Sequence, residues 1–151
     1  MESIPRRRPS VSCLILDSSA TLAWIYGDEV TKAIRRVFDA IADDGALVPA
    51  LWRLEVANSL TMAVRRHRID PDFRRAALAD LALLDITTDQ QTDSYGWTDT
   101  LNLADRFQLT VYDAAYLELA QRRVLSLATL DQDLRNAAMA IGVEVLGTEL
   151  K

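Results

Sequence analysis

Short apolar runs alternate along the chain with longer stretches whose apolar residues recur every three or four positions. The first run, Val11 to Leu16, ends at the turn-prone Asp17-Ser18-Ser19 and reads as a buried parallel strand. Asp17-Ser18-Ser19 can cap a helix from Ala20 to Tyr26 that stops at Gly27. Between Thr31 and Ala42, the residues Ala33, Ile34, Val37, Phe38 and Ile41 mark one face of an amphipathic helix. Gly45 ends it, and Ala46-Leu47-Val48 predicts a second strand closed by Pro49. Ala50 to about His67 is helical again, and Ile69-Asp70-Pro71 opens a helix reaching Leu84. Ile86-Thr87-Thr88 reads as a third strand, and Thr98 to Phe107 and Tyr112 to Arg123 as two more helices. Val124 to Leu127 predicts a strand, Asp133 to Ile141 a helix stopped by Gly142, and Val143 to Leu146 a last strand. Strands separated by helices predict an α/β fold, a three-layer sandwich with a short, mostly parallel central sheet flanked by helices.

A length of 151 residues suits one domain, and 50% hydrophobic with 26% charged residues supports a packed core. The expected division is a flexible basic tail over residues 1–10, containing Arg6-Arg7-Arg8, and a single domain over 11–151. The apolar run after those arginines stops at Asp17, too short for the about 7–15 residues of a signal peptide's core. No uncharged stretch approaches the roughly 18 residues of a membrane span, so the expectation is a cytoplasmic protein. Twenty-two acids against 17 bases leave a net charge of −5, which argues against gripping nucleic acid by overall charge. One cysteine, Cys13, and one histidine, His67, exclude a disulfide framework and a Cys/His zinc cluster. Any metal would be held by oxygen.

Sites in open α/β sheets form beyond the carboxyl ends of the strands. Asp17 and Asp131 follow the strands Val11–Leu16 and Val124–Leu127, and converge if those strands are neighbours. Each alone is equally well explained as a helix cap. Glu55 shares a helical stripe with Leu51, Asn58 and Met62, beside the apolar Leu54/Ala57/Val64 face. A carboxylate beside a core-facing stripe requires a partner, either a metal or a salt bridge to Arg53 or another arginine. Asp113 stands in the first turn of its helix, where the dipole favours an acid. Four carboxylates on one spot repel each other unless cations neutralise them. Magnesium or manganese suits such an all-oxygen site, and metal-assisted phosphodiester hydrolysis is the chemistry it would serve.

Arginine pairs recur at Arg35-Arg36, Arg65-Arg66, Arg74-Arg75 and Arg122-Arg123, read as solvated helix faces or as phosphate contacts. The densest cluster, Arg65, Arg66 and Arg68 around His67, is the candidate RNA or partner contact. Trp24, Trp52 and Trp97 read as core or interface anchors, and Cys13 as a buried thiol. A receiver-type phospho-acceptor domain would want an acid pair after the first strand and a lysine after a late one. Here Ser18-Ser19 follow Asp17, and Lys32 and Lys151 are the only lysines. Ser19 also occupies the second acid of an Asp-x-Asp phosphatase motif, and no glycine-rich phosphate loop exists.

Four segments in order, Leu-Ile-Leu-Asp17-Ser-Ser, Leu-Glu55-Val-Ala-Asn58-Ser-Leu, Tyr-Asp113-Ala-Ala-Tyr-Leu-Glu-Leu-Ala and Ala-Thr129-Leu-Asp131-Gln-Asp133-Leu, resemble the PIN-domain ribonucleases. The closest branch is that of the VapC-like toxins of toxin–antitoxin pairs. The acids lie 38, 58 and 18 residues apart, and the likeness runs from about Val11 to Leu146. The resemblance implies a Mg2+- or Mn2+-dependent endoribonuclease with Asp17 and Asp113 as principal metal ligands. Glu55 and Asp131 would complete the cluster directly or through water. Thr129 and Asn58 match supporting polar positions, with Ser18 a further candidate and the role of Asp133 open. The resemblance also implies an RNA substrate, a homodimer, and inhibition by a small cognate antitoxin, with a higher complex of toxin and antitoxin as a further expectation. The alternative is a PIN-fold interaction module without activity, which the presence of all four acids opposes.

Overall fold

β1 (Leu14–Leu16) and β2 (Ala46–Val48) are buried at every residue, because helices cover both faces of the sheet to which they belong. The structure is a computed structural model that describes residues 14–149. The predicted tail, the first residues of the predicted strand at Val11 and the Cys13 thiol lie outside the described residues. β3 (Ile86–Thr88), β4 (Ser126–Ala128) and β5 (Val145–Leu146) complete a five-stranded, wholly parallel sheet in the order β3-β2-β1-β4-β5.

This order decides where a site can form. The chain moves outward from β1 to β2 to β3, then returns to the other side of β1 to place β4 and β5. Parallel connections are right-handed, so the two directions of travel send their helices to opposite faces. The helices pack accordingly. α1 (Ser18–Ile25), α2 (Lys32–Asp44), α3 (Trp52–Arg65) and α4 (Pro71–Ala82) contact one another. α6 (Asp99–Phe107), α7 (Val111–Arg123) and α8 (Gln132–Ala140) form the second group. The reversal falls between β1 and β4, whose registers pair Leu14 with Ser126 and Leu16 with Ala128. A crevice opens beyond their carboxyl ends.

Most predicted elements exist, with shifts that have local causes. β4 begins at Ser126 rather than Val124, because Val124 takes a left-handed conformation (φ 54°) as the cap of α7. β5 is likewise shorter than Val143–Leu146. α8 starts at Gln132, because Asp131 accepts the Leu134 amide and is the cap. Two short elements escaped the pattern, a 3-10 turn at Gly27–Glu29 and α5 (Thr92–Tyr95), since neither is long enough to display a period. Gly45 does stop α2. Its φ is 78°, and a Cβ there would lie 2.9 Å from the Asp85 carbonyl oxygen.

α7 is buried from Ala114 to Ala120, as its nearly continuous apolar sequence predicts. Trp24 stacks on Phe38 at 4.6 Å, and buried Trp52 donates to Thr21 Oγ1 at 3.0 Å. Trp97, expected in the core or at an interface, is 93% exposed and therefore not core. Leu54 is 74% exposed, because Trp52, Val56, Leu60 and Ala63 form the inward face of α3 and rotate Leu54 to solvent. Among the described residues no helix is long and apolar enough to cross a membrane.

Candidate active site

Asp17 is the first residue after β1, and its amide N–H donates to the Ala128 carbonyl of neighbouring β4 at 3.0 Å. That bond extends the ladder by one step and fixes the side chain at the reversal point, where it is 3% exposed. The carboxylate is held by short bonds. The Ser18 amide donates to Oδ1 at 2.7 Å, and the Ser19 and Thr129 hydroxyls donate to Oδ2 at 2.7 and 2.6 Å. Burial raises the Asp17 pKa above the usual carboxylate range. The three donors pull it back in part, and the nearby Asp131 charge pushes it up again. Helix capping and membership of the site are therefore both true of Asp17.

Thr129 joins the two strand ends. Its hydroxyl donates to Asp17 and accepts from the Asp131 amide at 3.1 Å. Asp131 caps α8 with Oδ1 while its charge acts on Asp17 and Asp113. Ser19 makes a second tie, since its Oγ also accepts from the Leu130 amide at 2.9 Å. Ser19 was not singled out in the sequence. Ser18, which was, reaches Asp17 through its amide, its hydroxyl lying 3.4 Å away.

Glu55 sits in the first turn of α3, half-buried, and its partner is not an arginine. Tyr116 Oη, from the interior of α7, donates to Glu55 Oε1. The salt bridge to Arg53 or another arginine, one of the two readings of the sequence, is not formed among the described residues: the helix brings Glu55 to the crevice while Arg53 is exposed. Burial raises the Glu55 pKa, Tyr116 opposes the shift, and Asp17 and Asp113 reinforce it. Tyr116 is a residue the sequence reading missed, although it lies one turn after Asp113 on the same helix.

Asp113 lies in the first turn of α7, positioned by Thr110, whose Oγ1 accepts the Asp113 amide at 3.1 Å. Burial first, then the charges of Asp17 and Asp131, lift its carboxyl to about 6, against a small lowering from Thr110. Exposed Asp133 adds a weaker push and does not cap α8. Asn58 is exposed one turn beyond Glu55.

Arg65, Arg66 and Arg68 do not join this group. They are exposed at and beyond the C-terminal end of α3, so Arg65 stands about 15 Å along the axis from Glu55. Arg68 instead pairs with Glu29 at 2.8 Å and covers the Tyr26 ring at 4.1 Å.

The four acids thus share a crevice: Asp17, Glu55 and Asp113 each hold their protons more tightly than usual, in part through one another's charges and that of Asp131. They stop short of a closed coordination shell: among the described residues no three His, Cys, Asp or Glu side chains are drawn together tightly enough to hold a metal ion. The donor chemistry nevertheless fits a hard cation, because every group is an oxygen and, among the described residues, no arginine pairs with the crowded charges.

A carboxylate-walled crevice at the reversal point of a parallel α/β sheet is a site built from oxygen donors alone. The family to which the chain belongs is the PIN domain, whose profile matches residues 14–139. PIN domains are generally nucleases that use divalent metal ions. The fold is similar to the crystal structure of PAE2754 from Pyrobaculum aerophilum. That likeness has a TM-score of 0.67 and 21% sequence identity, covering 95% of this chain and 90% of that one. No curated protein matches the sequence.

Proposed function

We propose that this chain is a Mg2+- or Mn2+-dependent endoribonuclease acting as the toxin of a toxin–antitoxin pair, neutralised by a cognate antitoxin. The observation that supports the reading best is the convergence of Asp17, Glu55, Asp113 and Asp131, carried on four separate elements. Asp17 and Asp113 would be the principal metal ligands, with Glu55 and Asp131 acting directly or through water. When bound, a divalent ion would supply an activated water and offset the charge growing on the phosphodiester. Thr129 and Ser19 hold Asp17 in place and donate hydrogen bonds to it, so that its carboxylate stays oriented although buried. Phosphate contacts would come from local arginines, since the net charge repels RNA. A homodimer is part of this proposal, supported by exposed Trp97 beside exposed Tyr112 and Val111 along one groove.

Purified protein is expected to cut RNA with Mg2+ or Mn2+ and to stop when EDTA is added. Asp17→Asn and Asp113→Asn should each lower the cleavage rate by at least about 100-fold, the loss expected when a positioned charge at a reacting centre is removed. RNA left intact by the metal-loaded parent, or cut equally fast by both variants, overturns the reading.

A further inference from the structure

Glu55 is a member of the acid group whose orientation depends on another side chain. A glutamate has three torsions to fix, and a half-exposed one near the start of a helix spreads over several rotamers unless something holds it. Among the described residues Tyr116 is its hydrogen-bond partner, through Oε1 alone. Tyr116 is fully buried in α7, one turn beyond Asp113, so the phenol is as rigid as the core around it. Burial and the nearby Asp17 and Glu55 charges push its pKa above the ordinary range for a phenol.

We propose that Tyr116 is a positioning residue: its phenol occupies Glu55 Oε1 and leaves Oε2 as the oxygen available to a divalent cation that Asp17 and Asp113 would hold. This rests on the cation-dependent reading of the crevice and adds to it a reason why Glu55, alone on its helix, keeps a fixed aim. One turn of α7 then sets two acids at once, Asp113 by its own backbone and Glu55 through Tyr116.

The test titrates Mn2+ into the full-length parent, Tyr116→Phe, Glu55→Gln and the double variant, following free Mn2+ by its electron paramagnetic resonance signal. Tyr116→Phe is expected to weaken Mn2+ binding about 10-fold, the lower end of the range for losing a hydrogen bond that orients a metal ligand. In the Glu55→Gln background the same change should cost less than about two-fold, because a residue acting through Glu55 has nothing left to position. Cleavage by Tyr116→Phe should show a lower kcat with RNA KM unchanged. Unchanged Mn2+ affinity in Tyr116→Phe, or the same loss in both backgrounds, overturns the inference. Should the ring variant fail to fold, Glu55→Asp carries the test. It keeps the charge but withdraws it from the phenol, and parent-like affinity there overturns the inference equally. A parent that takes up no Mn2+ overturns the reading of the crevice itself, which separates that failure from the failure of Tyr116's role.

Discussion

Asp113 binds its proton more tightly in the folded chain, at about 6, than the ordinary value of 3.8. Between those values the folded state carries more protons than the unfolded one. Stability therefore falls as pH rises through that window and stays reduced above it. Asp113→Asn removes the penalty. At pH 7 in EDTA the variant should be more stable than the parent by about 1 kcal/mol, well below the full displacement because the carboxyl is half-exposed and solvent screens it. Near pH 4 the two should melt together. Thermal melts across this range check the prediction, and a variant less stable than the parent at pH 7 would contradict it. Thr129→Val tests the neighbouring feature. Losing the hydroxyl leaves buried Asp17 Oδ2 with one donor fewer, which should cost about 1–3 kcal/mol in urea unfolding. A loss smaller than half of that would mean Ser19 alone suffices.

α7 carries a second charged group two turns below the crevice. Arg122 donates to Glu118 at 2.9 and 3.1 Å and to Asp89, after β3, at 2.7 and 3.3 Å, with its guanidinium 4.5 Å over the Tyr95 ring. One cation therefore ties α7 to the start of α5 and serves two buried acids unequally. At Glu118 burial outweighs Arg122 and the pKa is raised. At Asp89 burial also opposes ionisation, but Arg122 and Thr92 overcome it and the pKa is lowered. Arg122→Ala strands both carboxylates in a largely dry site, with an expected loss of about 3–5 kcal/mol. Arg122→Lys should recover only part of it, because an ammonium lacks the planar fork that spans two partners. Urea denaturation of both variants decides this, and a loss under about 1 kcal/mol for Arg122→Ala would contradict it.

At the scale of the whole molecule, a groove lined by Leu51, Trp97, Val111 and Tyr112 runs beside Asp113 and exposes large apolar side chains. An indole 93% exposed is unusual for a residue that buries well. If this surface joins two copies, Trp97→Ser should shift the parent from dimer to monomer in light scattering at micromolar concentration while leaving the monomer folded. A parent that is monomeric at that concentration, or a variant that remains dimeric, contradicts the homodimer.

The order of elements and the acids at the strand ends were legible in the chain, because short apolar runs, helical periods and caps are local properties. Val124 shows where that legibility ends: its apolar type favours a strand, but α7 uses it as a left-handed cap. Leu54 and Trp97 show the same limit at the surface, since periodicity gives a face but not what lies opposite it. Sequence spacing also could not say that Asp17 and Asp131 meet. That followed from the return of β4 to the free edge of β1, which brought residues 112 positions apart into a single hydrogen bond between Thr129 and Asp17. Glu55's partner was decided in the same way. Arg53 is near in sequence and Tyr116 is 61 residues away, yet the fold buries the phenol beside the carboxylate and turns the guanidinium to water. Local patterns determine which groups exist and on which elements, whereas a site is a meeting of distant groups, and only the packing of the sheet reversal sets that meeting.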